Sequence, residues 1–312
     1  MCTAINDGNL FGRTLDIHKT YGEKVAIIPR NYKFDFWYEG IVTNRCAVIG
    51  VAYESGGAPL YYDAMNESGL CVAALNFPKN AVYHKPMENK HNVASFEFIP
   101  WLLSSCDSVF EAVQKLEKAN LTDDCFSPSL PATPLHWIVA DKNGAITVES
   151  TAEGLKIYEN LVGVLTNNPP FPFHISNIAQ YMHLDSFYPE NTLCPNVTLN
   201  KFGGGLGAVG LPGDFSPASR FVRAVFLKNH TTHEVDNKYE INRFFHIMNC
   251  VSVPKGCVKT EEGKDTFTAY TCCADRKTLT YYFKTYDNPH LRNVSLTDRR
   301  INSDKIRFYD IG

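Results

Sequence analysis

The chain has 312 residues, 44% of them hydrophobic, and a formal net charge of −3. That is enough apolar material for a large core, with no electrostatic footprint for nucleic acid or an anionic membrane. No apolar run approaches the ~20 residues that span a bilayer, and the N-terminal stretch lacks a basic region followed by an apolar run and a small-residue cleavage site, so a cytoplasmic protein acting on small molecules is expected.

The elements, taken in order, begin with a hairpin: Cys2 to Asn6, an Asp7-Gly8 turn, then Asn9 to Thr14. With those two residues as the turn, Cys2 faces Arg13 and Ile5 faces Leu10. A strand is expected around Ala47 to Tyr53, and a hairpin from Leu60 to Met65 and Leu70 to Phe77 across Asn66-Glu67-Ser68-Gly69. Ala94 to Ser105 and Ser108 to Ala119 carry apolar residues at helical spacing. A meander follows: Leu135 to Ala140, Ala145 to Ser150, Leu155 to Tyr158 and Val162 to Thr166. Helices are predicted over Pro217 to Lys228 and Glu240 to Asn249, then strands over Phe267 to Ala274 and Leu279 to Thr285. Without an internal repeat or low-complexity linker, residues 1–312 read as one α+β domain of antiparallel strand groups separated by helices.

Cys2 is the first chemical signal. Removal of Met1 would give one residue both a thiol and a free α-amine, whose ordinary values of about 8.5 and about 7.7–8.0 suit nucleophile and base near neutral pH. Most of the other nine cysteines, irregularly spaced and without a C-x-x-C, read as small apolar core residues, and His230 and His233 lack partners to complete a zinc set. No metal or cofactor is expected. GLGAVG at 205–210 satisfies G-x-G-x-x-G but runs directly into Leu211-Pro212-Gly213, so the helix a nucleotide site needs cannot start there. The stretch reads instead as a permissive loop that could line a pocket. Ser216 and Pro217 form a strong helix start, which puts Arg220 near the end of the first turn, where the dipole disfavours a cation. It either reaches solvent or answers an anion. Asn76 and Asn167 end apolar strands close to proline, where they are either plain turn residues or a pair able to form an oxyanion hole. A papain-like pairing of Cys2 with His136 lacks the surrounding motif and is set aside.

Together MCTAI, FGRTLD, MNESGL with LNFP, LHWIVAD, LTNNP, GLPGDFSPASRF and YTCC with YYF resemble the choloylglycine hydrolase family of N-terminal-nucleophile hydrolases, which includes bile salt hydrolases and penicillin V acylases. The stretches occur in the family's order over essentially the whole chain. The resemblance implies a four-layer αββα sandwich of two antiparallel sheets. It implies Cys2 as nucleophile after loss of Met1, Arg13 beside the thiol, Asp16 orienting the amine, Asn76 and Asn167 as oxyanion hole, and Arg220 steadying developing charge. Thr14 and Asn168 depart from the family's usual Asn and Ser at those positions.

The implied reaction is amide hydrolysis through a Cys2 thioester, with transfer of the acyl group to another amine as a side reaction. Asn76 and Trp137 fit the bile-salt side of the family, and Gly205-Leu206-Gly207 resembles the form associated with taurine conjugates. Conjugated bile acids are therefore the expected small-molecule partners, and the family's habit is a homotetramer. The alternatives are a penicillin V acylase or other N-acyl amide hydrolase, and a bile-acid-binding protein in which Cys2 is inert.

Overall fold

The computed structural model describes residues 1–312, the side chain of Asp298 excepted. Two antiparallel sheets carry the architecture. The first has the spatial order Val164–Leu165, Cys2–Asp7, Leu10–Ile17, Asp265–Asp275, Thr280–Thr285, Arg292–Ser295, with Val258–Lys259 added to the long fourth strand. The second runs Gly154–Glu159, Ala145–Thr151, Leu135–Ala140, Cys71–Asn76, Ala58–Asn66, Val48–Ser55, Lys24–Ile28, Arg307–Asp310.

Alternation along the strands shows how the layers stack. Cys71, Ala73, Leu75, Ile138 and Ala140 share a core with the first sheet and with Phe221, Phe244 and Met248 of helices Pro217–His230 and Asn237–Asn249. Val72, Ala74, Trp137 and Val139 point the other way and pack with Phe98, Trp101 and Leu102 of helix Phe98–Leu103. Helices thus cover the outer face of each sheet. The result is the αββα sandwich that the resemblance implied. Among the described residues no helix is long and apolar enough to cross a membrane.

Several elements differ from the sequence reading. The first hairpin turns at Gly8 and Asn9, with Asp7 opposite Leu10 and Cys2 opposite Leu15, so Arg13 faces Ala4 rather than Cys2. Gly8 has φ +58°, a backbone state that suits glycine in a tight hairpin turn. The 94–105 segment divides into strand His91–Ala94, a 3₁₀ turn and helix Phe98–Leu103. The last strand of the expected meander shrinks to Val164–Leu165, leaves the second sheet and pairs with Cys2–Asp7 in the first. Helix Phe171–Ile178 and the outer strand pair Lys24–Ile28 and Arg307–Asp310 were not anticipated. Gly12 lets the hairpin press against its neighbour: a Cβ there would lie 2.0 Å from the Cys272 carbonyl oxygen.

Candidate active site

Cys2 begins the strand at the centre of this packing and is 3% exposed. Arg13 lies on the same face of the hairpin, one pair further along, and its Nη2 donates to Cys2 Sγ at 2.5 Å. A defect in the second sheet makes room for this guanidinium. Strands Ala58–Asn66 and Cys71–Asn76 pair only from Asp63 and Ala73 to Met65 and Cys71, and a bulge at Tyr62 interrupts the pairing of Ala58–Asn66 on its other side. The freed carbonyl oxygens of Tyr62 and Ala74 both accept from Arg13 Nη1, and Nε donates to Thr14 O at 3.1 Å. Arg13 is 0% exposed, yet it has an acceptor for each of its three nitrogens. Burial alone would lower its pKa; the charges of Cys2, Tyr270, Asp63 and Cys272 outweigh that and hold it above its ordinary value.

On the other side stands Arg220. Ser216 caps its helix, accepting from Ser219 N at 3.3 Å, and Pro217 opens the first turn. Asp214 steadies the approach by accepting from Ser219 Oγ at 2.5 Å and Ser216 N at 2.8 Å, and the hydrogen bonds from Ser216 and Ser219 hold its carboxyl down at about 2. Arg220 then projects inward. It donates to Cys2 O at 2.5 Å, Thr3 Oγ1 at 2.6 Å, Asn167 Oδ1 at 2.8 Å and Phe215 O at 3.0 Å. Burial pushes this guanidinium below its ordinary value, with the charges of Asp16 and Cys2 opposing. The cation that the helix dipole disfavours is therefore held by a ring of acceptors, with Asp16 Oδ2 4.0 Å away.

Asn167 joins the two sides. Its Oδ1 accepts the Cys2 N–H at 2.8 Å, and its Nδ2 donates to Asn76 O at 2.8 Å. Asn76 itself is exposed at the end of its strand. Asp16 is buried beside this cluster: Oδ1 accepts from Thr268 Oγ1 at 2.7 Å, and Oδ2 from Thr14 Oγ1 at 3.4 Å. A register shift between Thr268 and Tyr270 brings that threonine onto Asp16. Met1 precedes Cys2 here, its ammonium on Asp16 O at 2.7 Å, and the Cys2 N–H bonds to Asn167 rather than to the Asp16 carboxylate.

The structure does not bring every expected residue to this cluster. Trp137 is 0% exposed and stacks on Phe98 at 4.3 Å in the outer core, on the face of its strand opposite His136. Its neighbours are those of a core residue. Gly205 precedes, and Leu206 and Gly207 open, a one-turn 3₁₀ helix, Leu206–Ala208, whose contact is with another loop: Asp185 N donates to Gly207 O at 3.0 Å, and a Cβ on Gly207 would lie 2.0 Å from Phe187 O. Among the described residues no cluster of three or more His, Cys, Asp or Glu side chains is arranged to hold a metal ion. Thr14, noted in the sequence as a departure from the family's usual Asn, hydrogen-bonds Asp16, whereas Thr3 and Thr268, which tie Arg220 and Asp16 into the site, were missed; isolated threonines in strands carry no sequence signal of such a role.

A profile described as linear amide C–N hydrolases, choloylglycine hydrolase family, matches residues 2–309. The chain belongs to the choloylglycine hydrolase family. It is 42% identical to a bile salt hydrolase/transferase of Lactiplantibacillus plantarum, over 100% of this chain and 97% of that one. It is 36% identical to a bile salt hydrolase/transferase of Clostridium perfringens, over 99% of this chain and 96% of that one. The crystal structure of the C2A mutant of the conjugated bile acid hydrolase from Clostridium perfringens superposes with TM-score 0.91 at 34% identity, covering 100% of this chain and 97% of that one. Penicillin V acylase from Agrobacterium tumefaciens, at 21% identity and TM-score 0.79 over 100% of this chain and 92% of that one, shares the fold. The protein is thus a cysteine N-terminal-nucleophile amidohydrolase of the choloylglycine hydrolase family, and Cys2 fits the cysteine nucleophile.

Proposed function

We propose that the protein hydrolyses the amide bond of conjugated bile salts, with Cys2 as nucleophile once Met1 has been removed. The observation that carries the reading is the Arg13 Nη2 to Cys2 Sγ contact of 2.5 Å in a chain 42% identical to a bile salt hydrolase/transferase. A buried cation against the sulfur is placed to balance the negative charge that appears there when the thiol gives up its proton in the reaction.

In the proposed reaction the Cys2 thiol passes its proton to the Cys2 α-amine, and the thiolate attacks the amide carbonyl carbon. The carbonyl electron pair moves to oxygen, where Asn76 and Asn167 act as donors and Arg220 steadies the charge. An amide NH2 has two donors, and Asn167 Nδ2 uses one on Asn76 O, which leaves the second for the oxyanion. The C–N bond then breaks as the leaving amine takes the proton back, giving a thioester. Water attacks the thioester carbonyl, releasing the bile acid and restoring the thiol. Asp16 holds the surroundings of the amine through its backbone, its threonine partners and Arg220. An amine in place of that water takes the acyl group instead, giving a new conjugate. Taurine conjugates are the proposed preferred substrates, on the likeness of Gly205-Leu206-Gly207 to the form associated with them.

The test is amine release from taurocholate, glycocholate and penicillin V side by side, with Cys2→Ala as blank and intact mass reporting on Met1. Taurine and glycine release that vanishes in the variant, from a chain lacking Met1, supports the reading. Release from penicillin V alone would move the substrate class, and retention of Met1 with no turnover would leave a binding protein. Mixing enzyme, taurocholate and excess amino acid tests the transfer step, which fails if no new conjugate forms.

A further inference from the structure

His136 was set aside above as a catalytic partner of Cys2, yet it is fully buried and fully engaged. Its Nε2 faces Thr166 O at 3.0 Å and its Nδ1 faces Glu149 Oε1 at 3.1 Å; both oxygens are acceptors, so the Nε2 proton is donated to Thr166 O and a second proton lies between Nδ1 and Glu149 Oε1. His174, also fully buried, points its Nε2 at the next carbonyl oxygen, Asn167 O, at 2.9 Å. His174 Nδ1 has no hydrogen-bond partner among the described residues, so its polar contact goes to Asn167. Burial pushes the His174 pKa down, which keeps the ring neutral with its proton on Nε2. Two successive carbonyls are therefore each held by an imidazole, one from the second sheet and one from helix Phe171–Ile178.

Glu149 joins the two. The same Oε1 that faces His136 accepts from Phe171 N at 3.0 Å, the first residue of the helix that carries His174. Its Oε2 is buried without a partner among the described residues, so its polar contacts run through that one oxygen. The rings are braced by stacking. His136 lies parallel to Phe77 at 4.3 Å, next in sequence to Asn76, and His174 lies over Phe221 at 4.8 Å, next to Arg220. Thr166 Oγ1 completes the frame by donating to Pro217 O at 3.0 Å, at the start of the Arg220 helix.

We propose that Glu149, His136 and His174 are positioning residues: a buried frame that fixes the Thr166 and Asn167 carbonyls and so aims the Asn167 side chain at the reacting group. The inference rests on Asn167 acting in the hydrolysis proposed above. A stabilising donor works only where the oxyanion forms, and displacement by about an ångström can cost on the order of 100-fold in rate.

The test replaces each histidine by Leu, which keeps volume and removes the donor, and by Gln, whose amide can still donate. His136→Leu and His174→Leu are expected to lower kcat about 100-fold with KM within about twofold, and the Gln variants to recover most of it. In an Asn167→Ala background, His136→Leu is expected to cost nothing further, because the frame acts through a side chain already gone. A folded Leu variant with parental kcat, or an equal loss in the Asn167→Ala background, would overturn the proposal. Should the Leu variants not fold, Glu149→Gln decides: a kcat loss of about 10-fold at constant KM is expected, and an unchanged kcat refutes the frame. Failure of the functional reading shows in the unaltered protein as no release from any of the three amides. The frame is then tested by hydrogen exchange across residues 164–170, faster in Glu149→Gln if it exists and unchanged if it does not.

Discussion

Arg220 Nη2 and the Cys2 backbone N–H donate to the same atom, Asn167 Oδ1, each at 2.8 Å. The amide orientation is thereby fixed, since an oxygen must face two donors and the NH2 must point away toward Asn76 O. Arg220→Lys keeps the charge, but a single ammonium cannot reach Cys2 O, Thr3 Oγ1, Asn167 Oδ1 and Phe215 O together. The expected outcome is a kcat loss of about 100-fold with a lowered Tm, since a buried site left partly unsatisfied costs stability as well. Steady-state kinetics beside thermal unfolding check both, and a lysine variant with parental kcat would show that charge alone suffices.

Arg13 is held more tightly than an ion pair requires, with its acceptors drawn from both sheets. Arg13→Lys is expected to slow alkylation of Cys2 by iodoacetamide at pH 7 by about 10-fold, because the directed donor on the sulfur is lost. The rate is to be read on the N-terminal peptide by mass spectrometry, because Cys125, Cys194, Cys250 and Cys257, unlike the buried Cys2, are exposed and free and take up the reagent too. Equal labelling rates in parent and variant would remove Arg13 from this role.

Why the sequence leads to some of these residues and not to others follows from periodicity. The hairpin register is displaced by two residues from the Asp7-Gly8 reading, but side chains alternate with period two, so Arg13 and Cys2 keep the same face in either register. The contact is reached diagonally by a long side chain. Asn167 and Arg220 are marked by punctuation, a strand ending near proline and a Ser-Pro helix start, and such signals survive without knowledge of the tertiary fold. The Tyr62 bulge leaves no such mark. Neither do His136, His174 and Glu149, whose partners are largely backbone groups of an irregular segment that only the folded chain brings near. The shared αββα layering was legible chiefly through resemblance, since strand patterns alone give antiparallel groups without saying which strands enter which sheet.

Glu97 offers a pH-dependent prediction outside the site. Burial pushes its carboxyl up to about 7, against backbone N–H bonds from Trp37 and Ala94 that favour the charged form. In the unfolded chain an ordinary Glu titrates near 4.3, so between about pH 4.3 and 7 the folded state binds more protons and stability falls as pH rises. Above that window the penalty is complete and constant. Glu97→Gln removes the charge and keeps an acceptor for Trp37. The variant is expected to be more stable than the parent by about 1–2 kcal/mol at pH 8, discounted for partial solvent contact, and no more stable at pH 4. Urea unfolding at the two pH values measures the difference, and equal midpoints at pH 8 would refute it.

Trp137 separates packing from recognition. Its strand places His136 on the inner face and Trp137 on the outer, where it is 0% exposed against Phe98 and shares a core with Trp101, Val72 and Val148. A ring with no accessible surface cannot meet a substrate without local unfolding. Trp137→Phe leaves a smaller aromatic in a space shaped for indole, and the lost contacts with the remaining cavity are expected to cost about 1–3 kcal/mol. The penalty is softened because the indole Nε1 is already buried without a hydrogen-bond partner among the described residues, so no bond is broken. The expected result is a lowered urea midpoint with KM for taurocholate and glycocholate unchanged. A rise in KM at unaltered stability would reverse the assignment, because it would require the indole to touch the sterol in a conformation other than this one.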